Sequence, residues 1–299
     1  MKGLEKQKYI LRSLMFVPAH NEKFLNSAMK ADADVLLLDV EDSVLPYENK
    51  QIARDNIVRY VSQKKFKQVI FPRINDRESG QLLKDLMQLT IPGISGFMYP
   101  KSYTGQDIYF IDKLLETLEY EKRLPLGTFK LIPLIETSAA VLNAQDICKA
   151  SKRVIAIAFG CEDFVTDLKG IHDKGGQSLS VPRALISLAA RANNVAPIDT
   201  VHIKVHDLQD LERNLVIAKN LGFEGMLVLH PKELPLVNKY FSPSEEDVSD
   251  AEEMLQLAKE AEREGKGVAV KNNKFIGPPM VAQAQNIVEK NELIMGKLR

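Results

Sequence analysis

The sequence predicts an α/β protein of the TIM-type (β/α)8 barrel class, with a C-terminal extension of helix and hairpin. Three observations carry that expectation. Eight short apolar runs alternate with stretches long enough for crossover helices. Most of the runs are continuous rather than alternating, as parallel strands covered on both faces require. No GxGxxG follows an early run, so a dinucleotide-binding sheet has no support, although a doubly wound sheet remains the structural alternative. A chain of 299 residues accommodates one such barrel.

The runs are SLMFVPA (13–19), DVLLLDVED (34–42), QVIFPRIN (68–75), GFMYPK (96–101), KLIPLIET (130–137), VIAIAFG (154–160), DTVHIKV (199–205) and GMLVLHP (225–231). Several are rich in Val and Ile, which favours strand over buried helix. Between them, 139–151 reads as a helix, and 183–194 as another with Pro182 in its first turn. The stretch 207–222 opens on Asp207 as N-cap and closes on Gly222 as C-cap. The expected barrel spans 1–240. In the extension, 241–299, residues 246–263 read as helix, 267–279 as a hairpin with an Asn-Asn turn, and the chain ends in a helix from about 280. This extension is expected to pack on the barrel or reach a neighbouring subunit.

Lys plus Arg and Asp plus Glu both number 40. That balance offers no general attraction to nucleic acid or to acidic membranes. No run approaches the ~18–20 apolar residues of a membrane span, and no signal-peptide run precedes Pro18. Two cysteines, Cys148 and Cys161, form no metal-binding spacing and imply no disulfide framework. A reducing, cytoplasmic setting is expected.

Catalytic groups of such barrels sit at the C-terminal ends of the strands. Those ends carry Asp39, Glu41 and Asp42, then Arg73 and Asn75, Lys101, Glu136, Glu162 and Asp163, Lys204 and His206, and His230. Glu136 and Asp163 follow adjacent runs, so their carboxylates can converge. An oxygen-rich site suits Mg2+ or Mn2+, with water and substrate completing the octahedron. Arg73 is the usual fork for a substrate carboxylate. Each residue also has a structural reading: Asp42 as a loop cap, Glu41 as a partner of Lys101, Arg73 as a rim ion pair, His230 as a hydrogen-bonded rim histidine, Glu136 and Asp163 as braced acids. His20, His172 and His202 are weak signals for metal binding.

The segments RSLMFVPAHN, LLLDVEDSV, FPRIN, YPK, LIPLIETSAAVLN, AFGCEDF, GFEGMLVLHP, FSPS and KGVAVKNNKFIGPPMVAQAQ occur in this order. The chain thereby resembles the citrate lyase β-subunit-like proteins of the HpcH/HpaI aldolase/citrate lyase family over nearly its whole length. The resemblance implies a barrel that binds Mg2+ through Glu136 and Asp163 and holds a substrate carboxylate on Arg73. It implies that Glu41 and Asp42 organise the shell of the metal or the adjacent loop. It implies that Arg12 and Lys101 lie near a thioester or its phosphate-bearing carrier. The expected activity is cleavage or formation of a carbon–carbon bond in a β-hydroxyacyl thioester of the citryl, malyl or citramalyl type, most simply carried on CoA, in a homotrimer or hexamer whose tail crosses to the next subunit.

The chain departs from the family pattern in places. Relatives that cleave acyl-CoA usually read MID-x-P in the tail hairpin, with the Asp as an acid/base group from the neighbouring subunit; here the stretch reads Phe275-Ile276-Gly277-Pro278-Pro279. Lys204 stands where Asp is usual, Met226 where Lys is usual, and Ala19 replaces Gly in VPG. The metal half matches and the proton-transfer half is altered. A metal-dependent 2-keto-acid aldolase and a non-catalytic ligand-binding or complex subunit are the alternative readings.

Overall fold

The computed structural model describes residues 9–172, 176–265, 269–271 and 274–297. They divide into two compact units, one spanning Leu11–Val237 and the other taking 9–10 together with 238–297.

The first unit is a parallel barrel with helices between its strands. Its elements are β1 Ser13–Pro18, α1 Glu22–Ala28, β2 Val35–Asp39, α2 Asn49–Ser62, β3 Val69–Ile70, α3 Leu82–Leu89, β4 Gly96–Tyr99 and α4 Gly105–Glu121. Then come β5 Lys130–Ile135, α5 Ser138–Leu142, α6 Ala144–Lys149, β6 Ala156–Phe159, α7 Cys161–Leu168, α8 Gln177–Ala192, β7 Ala196–Asp199, α9 Leu208–Asn220 and β8 Gly225–Val228. The strand order is β3-β2-β1-β8-β7-β6-β5-β4. Strands covered on both faces bury whole runs, and Val35, Leu36, Leu37 and Leu38 of β2 are fully buried. Each such side chain contributes roughly 1.5–3 kcal/mol.

The seam between β3 and β4 closes beyond the two-residue ladder of β3. Pro72 has no N–H and interrupts that ladder. Pairing resumes at Arg73, whose backbone bridges Asp39 on one side and Met98 on the other. The Arg73 N–H donates to Leu38 O at 3.1 Å, and Met98 N–H donates to Pro72 O at 2.9 Å.

Some boundaries differ from the sequence reading. The seventh strand is Ala196–Asp199 rather than 199–205. Pro197 argues against a strand by rule, yet it is tolerated here because its carbonyl still accepts Glu224 N–H at 2.9 Å. Lys204 and His206 consequently lie on the loop after β7. The stretch 139–151 is two short helices, because Asn143 ends α5 and precedes α6. Helix α8 begins at Gln177, so Pro182 lies inside it. Asp207 does cap α9, accepting Asp210 N–H, and Gly222 takes φ +85, the left-handed conformation suited to a helix end.

The second unit contains α10 (Leu234–Phe241) beyond Val237, then α11 Glu245–Arg263, an antiparallel pair β9 Ala269–Lys271 and β10 Lys274–Ile276, and α12 Pro278–Lys297. Ser244 and Asp247 form a capping box at the start of α11. Ala261 and Ile276 form the centre of this unit's core, against Met254, Leu257, Met280 and Val281. The Asn-Asn turn expected at 272–273 lies outside the described residues. Among the described residues, no helix is long and apolar enough to cross a membrane.

Candidate active site

Arg73 is fixed from three directions. Its Nε donates to Asp39 Oδ1 at 2.8 Å and its Nη2 to Asp39 Oδ2 at 2.7 Å. Its Nη1 lies 3.0 Å from Glu41 Oε2 and 3.8 Å from Asp42 Oδ2. Its guanidinium carbon stands 4.8 Å from the centre of the Phe16 ring, a cation–π distance. Burial opposes the charge on both members of the Arg73–Asp39 pair. Their mutual attraction and hydrogen bonds prevail, holding Asp39 below the usual carboxylate range and Arg73 above its own. Asp39 also accepts the backbone N–H of Glu41 at 3.0 Å and that of Ser43 at 3.2 Å. One carboxylate thus positions both the arginine and the loop that carries Glu41.

Lys50 secures that loop from behind. It is buried, and its Nζ donates to Val40 O, Glu41 O and Asn75 Oδ1 at 3.1, 3.2 and 2.6 Å. Asn75 in turn donates to Val40 O and Asp85, and Asp85 is gripped by Arg54 at 2.7 Å. The ends of β2 and β3 are tied through one buried polar network.

Lys101, after β4, has φ +49, a left-handed conformation that costs a non-glycine residue energy. This geometry turns its N–H onto Glu136 Oε2 at 2.8 Å, while its Nζ reaches Asp76 Oδ2 at 2.9 Å and approaches Glu41 Oε1 at 3.6 Å. Glu136 directly follows β5 and is 4% exposed. Gly160 leaves the space that Glu136 fills: a Cβ there would lie 2.7 Å from Glu136 Cγ and 3.0 Å from its Oε1. Asp163 lies in the first turn of α7, exposed, and its charge is felt by Glu136.

Burial pushes Glu136 up to about 8, assisted by the charges of Glu41 and Asp163 and opposed by the Lys101 N–H and Arg73. Burial likewise pushes Glu41 up to about 7, although Arg73 opposes it. Both Glu41 oxygens are buried without a hydrogen-bond partner; the contact with Arg73 has ion-pair distance but not hydrogen-bond alignment. Carboxylates left this way fit a cation, whose charge favours their ionised form. The donors are all oxygen, which suits a hard ion. Among the described residues no three His, Cys, Asp or Glu side chains gather as a ligand group, so Glu136 and Asp163 would leave most of the coordination sphere to water and substrate, as Mg2+ prefers.

Two adjacent acids end the segment AFGCEDF, and their neighbours separate them. Glu162 pairs with His172 at 3.1 Å and accepts from Cys161 Sγ at 3.4 Å. Asp163 has no such bond among the described residues. Cys161 itself is buried, and burial raises its thiol to about 12.

One expected site residue lies elsewhere. Arg12 precedes β1, at the opposite end of the barrel, and is buried. Its Nε and Nη2 both bind Asp34, each at 2.9 Å. It cannot reach a thioester at the mouth, and the expectation placed on it is corrected. Asp39, Asp76, Lys50 and Gly160 are the residues that sequence reasoning gave no role. Asp39 was visible as a strand-end acid; nothing local marked the other three.

A family profile for HpcH/HpaI aldolase/citrate lyase matches residues 12–231. The chain belongs to this family, and with it to the carbon–carbon lyases. It is 30% identical over 284 residues to the citrate lyase subunit beta of Leuconostoc mesenteroides subsp. cremoris, covering 93% of this chain and 92% of that one. It is 31% identical over 295 residues to human mitochondrial citramalyl-CoA lyase, covering 94% and 86%. The fold is shared with protein CitE from Mycobacterium tuberculosis, solved with magnesium, acetoacetate and coenzyme A, at TM-score 0.74 and 23% identity over 96% of this chain and 99% of that one. A citrate lyase from Burkholderia xenovorans LB400 gives TM-score 0.82 at 16% identity, covering 95% and 92%.

Proposed function

We propose that this member of the family is a Mg2+-dependent lyase that cleaves or forms a small β-hydroxyacyl thioester of the citryl, malyl or citramalyl type. The observation that carries this reading is that Glu136 and Asp163 follow neighbouring strands, near enough for the charge of Asp163 to act on Glu136, at the same barrel mouth as an arginine held in place by Asp39. Magnesium in the M. tuberculosis CitE structure supports the choice of ion; an all-oxygen donor set also accepts Mn2+. The citramalyl-CoA lyase relative supports a CoA thioester as substrate.

Glu136 and Asp163 would hold the ion. When bound, it supplies Lewis-acid stabilisation of the oxygen on which charge develops. Arg73 offers a substrate carboxylate the N–H groups that Asp39 does not take, and so fixes the reacting carbon in one pose. Glu41 and Asp42 set the charge around that carboxylate, and Lys101 neutralises part of it. Cleavage removes the β-hydroxyl proton, breaks the adjacent carbon–carbon bond and returns a proton to the acyl carbon. The tail would complete a homotrimer or hexamer. Support for a subunit contact comes from the exposed apolar cross-strand pair Val270 and Phe275 in its hairpin.

Gly277 favours one second reading, a metal-dependent 2-keto-acid aldolase, because glycine stands where the tail acid is usual. Purified protein assayed on citramalyl-, malyl- and citryl-thioesters and on free 4-hydroxy-2-keto acids, with Mg2+ and with EDTA, separates the two. Mg2+-dependent thioester cleavage is expected. Turnover of the free keto acids alone would overturn the proposal.

A further inference from the structure

The five histidines of this chain occupy one half of the barrel mouth. His20 follows β1, His202 and His206 follow β7, and His230 follows β8. His172, after β6 and α7, is held at the mouth by Glu162 in the first turn of α7. Strands β1, β8, β7 and β6 are consecutive in the barrel. The loops over β2 to β5 carry Glu41, Arg73, Asp76, Lys101 and Glu136 and no histidine, while Glu162 and Asp163 follow β6 and Lys204 follows β7.

Four groups over β2 to β5, Arg73, Lys101, Asp39 and Asp76, are poorly suited to moving protons, and Glu41 lies against Arg73 at 3.0 Å. Against the effect of burial, neighbouring carboxylates raise both Arg73 and Lys101 above their ordinary values. Asp39 and Asp76 are held in ion pairs by those same cations. Among the histidines, His172 is engaged with Glu162, and buried His202 is fixed by Asp207 O at 3.2 Å and by Asn214.

His206 and His230 are arranged differently. Their rings meet edge to face with centres 5.9 Å apart. His230 Nδ1 accepts Lys232 N–H at 3.1 Å, so the neutral ring carries its proton on Nε2. Buried Glu233 accepts the N–H groups of Leu229 and His230 at 3.1 and 3.2 Å and fixes the backbone that presents this ring. His206 is exposed and makes no hydrogen bond or ion pair among the described residues, which leaves its ring nitrogens open to a substrate.

We infer that His206 and His230 form the proton-transfer pair for the proposed thioester cleavage, an inference that rests on that reading of the site. An unprotonated ring nitrogen takes the β-hydroxyl proton as the C–O bond becomes C=O. The electrons of the breaking carbon–carbon bond pass to the thioester as an enolate. A ring N–H then delivers a proton to the enolate carbon. One proton is taken and one returned, so the pair ends in the charge state in which it began. No acid from the tail is required.

The test uses the full chain, with the thioester on which the unsubstituted protein is active, in His206→Ala and His230→Gln. In His206→Ala kcat should fall by about 10²–10⁴-fold, with KM and calorimetric Mg2+ affinity retained, and added imidazole should restore part of the rate. His230→Gln should lower kcat without lowering Mg2+ affinity. Rates in both variants within about threefold of the unsubstituted protein, against the expected loss, would overturn the inference alone. So would a loss in which Mg2+ affinity also disappears and imidazole restores nothing. An unsubstituted protein inactive on every thioester removes the reaction itself, and the inference with it.

Discussion

Arg73 and Asp39 form a two-bond fork, Nε to Oδ1 at 2.8 Å and Nη2 to Oδ2 at 2.7 Å, at the point where the Arg73 backbone closes the barrel between β2 and β4. The edge of the guanidinium expected to grip substrate is therefore engaged by the protein. What remains for a substrate is the Nη1 side, beside Glu41. Arg73→Lys keeps the charge but cannot hold both Asp39 oxygens and a ligand. Charge-assisted hydrogen bonds contribute roughly 1.5–3 kcal/mol, so kcat/KM should fall roughly 10- to 100-fold. Steady-state kinetics on the cleaved thioester would check this, and unaltered values would remove Arg73 from the site.

Gly160 bears on Glu136 in the same direct way. A methyl group there would press on Glu136 Cγ at 2.7 Å. Gly160→Ala should leave the barrel folded, as circular dichroism would report, while lowering Mg2+ affinity by about 10–100-fold, the usual cost of disturbing a ligand's support. Unchanged affinity by calorimetry would show that Glu136 relaxes without consequence.

Arg12 separates stability from function. Removing the guanidinium that holds buried Asp34 should cost about 3–5 kcal/mol. Arg12→Met is thus expected to shift the urea midpoint strongly, with the KM of the remaining folded protein unaffected. A raised KM at full stability would return Arg12 to the substrate.

Gly277 can accept a side chain. A Cβ at this position would meet Pro279 Cδ at 3.8 Å, an ordinary van der Waals contact, and the backbone here is not left-handed. Gly277→Asp should alter stability by no more than about 0.5 kcal/mol. If the histidine pair moves the protons, kcat should change by less than about threefold, well short of the 10²–10⁴-fold a missing acid would account for. A large gain would show that the tail position limits the chemistry.

The barrel was legible because its strands are buried on both faces, so the apolar runs are continuous, and because acids end several of them. Glu136 could be read that way from LIPLIET. Strand β7 could not, because Pro197 disguises it and VHIKV beside it imitates a strand. Arg12 misled because its partner, Asp34, lies 22 residues away. The contact of Gly160 with Glu136 and the tie from Lys50 to Asn75 are equally non-local. Local patterns report which face of an element is buried; they do not report which distant side chain occupies the space beside it.

The decisive measurement is calorimetric titration of Mg2+ into the unsubstituted protein, Glu136→Gln and Asp163→Asn, each confirmed folded by circular dichroism. Glu136→Gln and Asp163→Asn keep the size of each side chain and remove its charge. The unsubstituted chain is expected to bind Mg2+ at one site and each variant to lose tight binding. Equal affinity in all three proteins would contradict the assignment of Glu136 and Asp163.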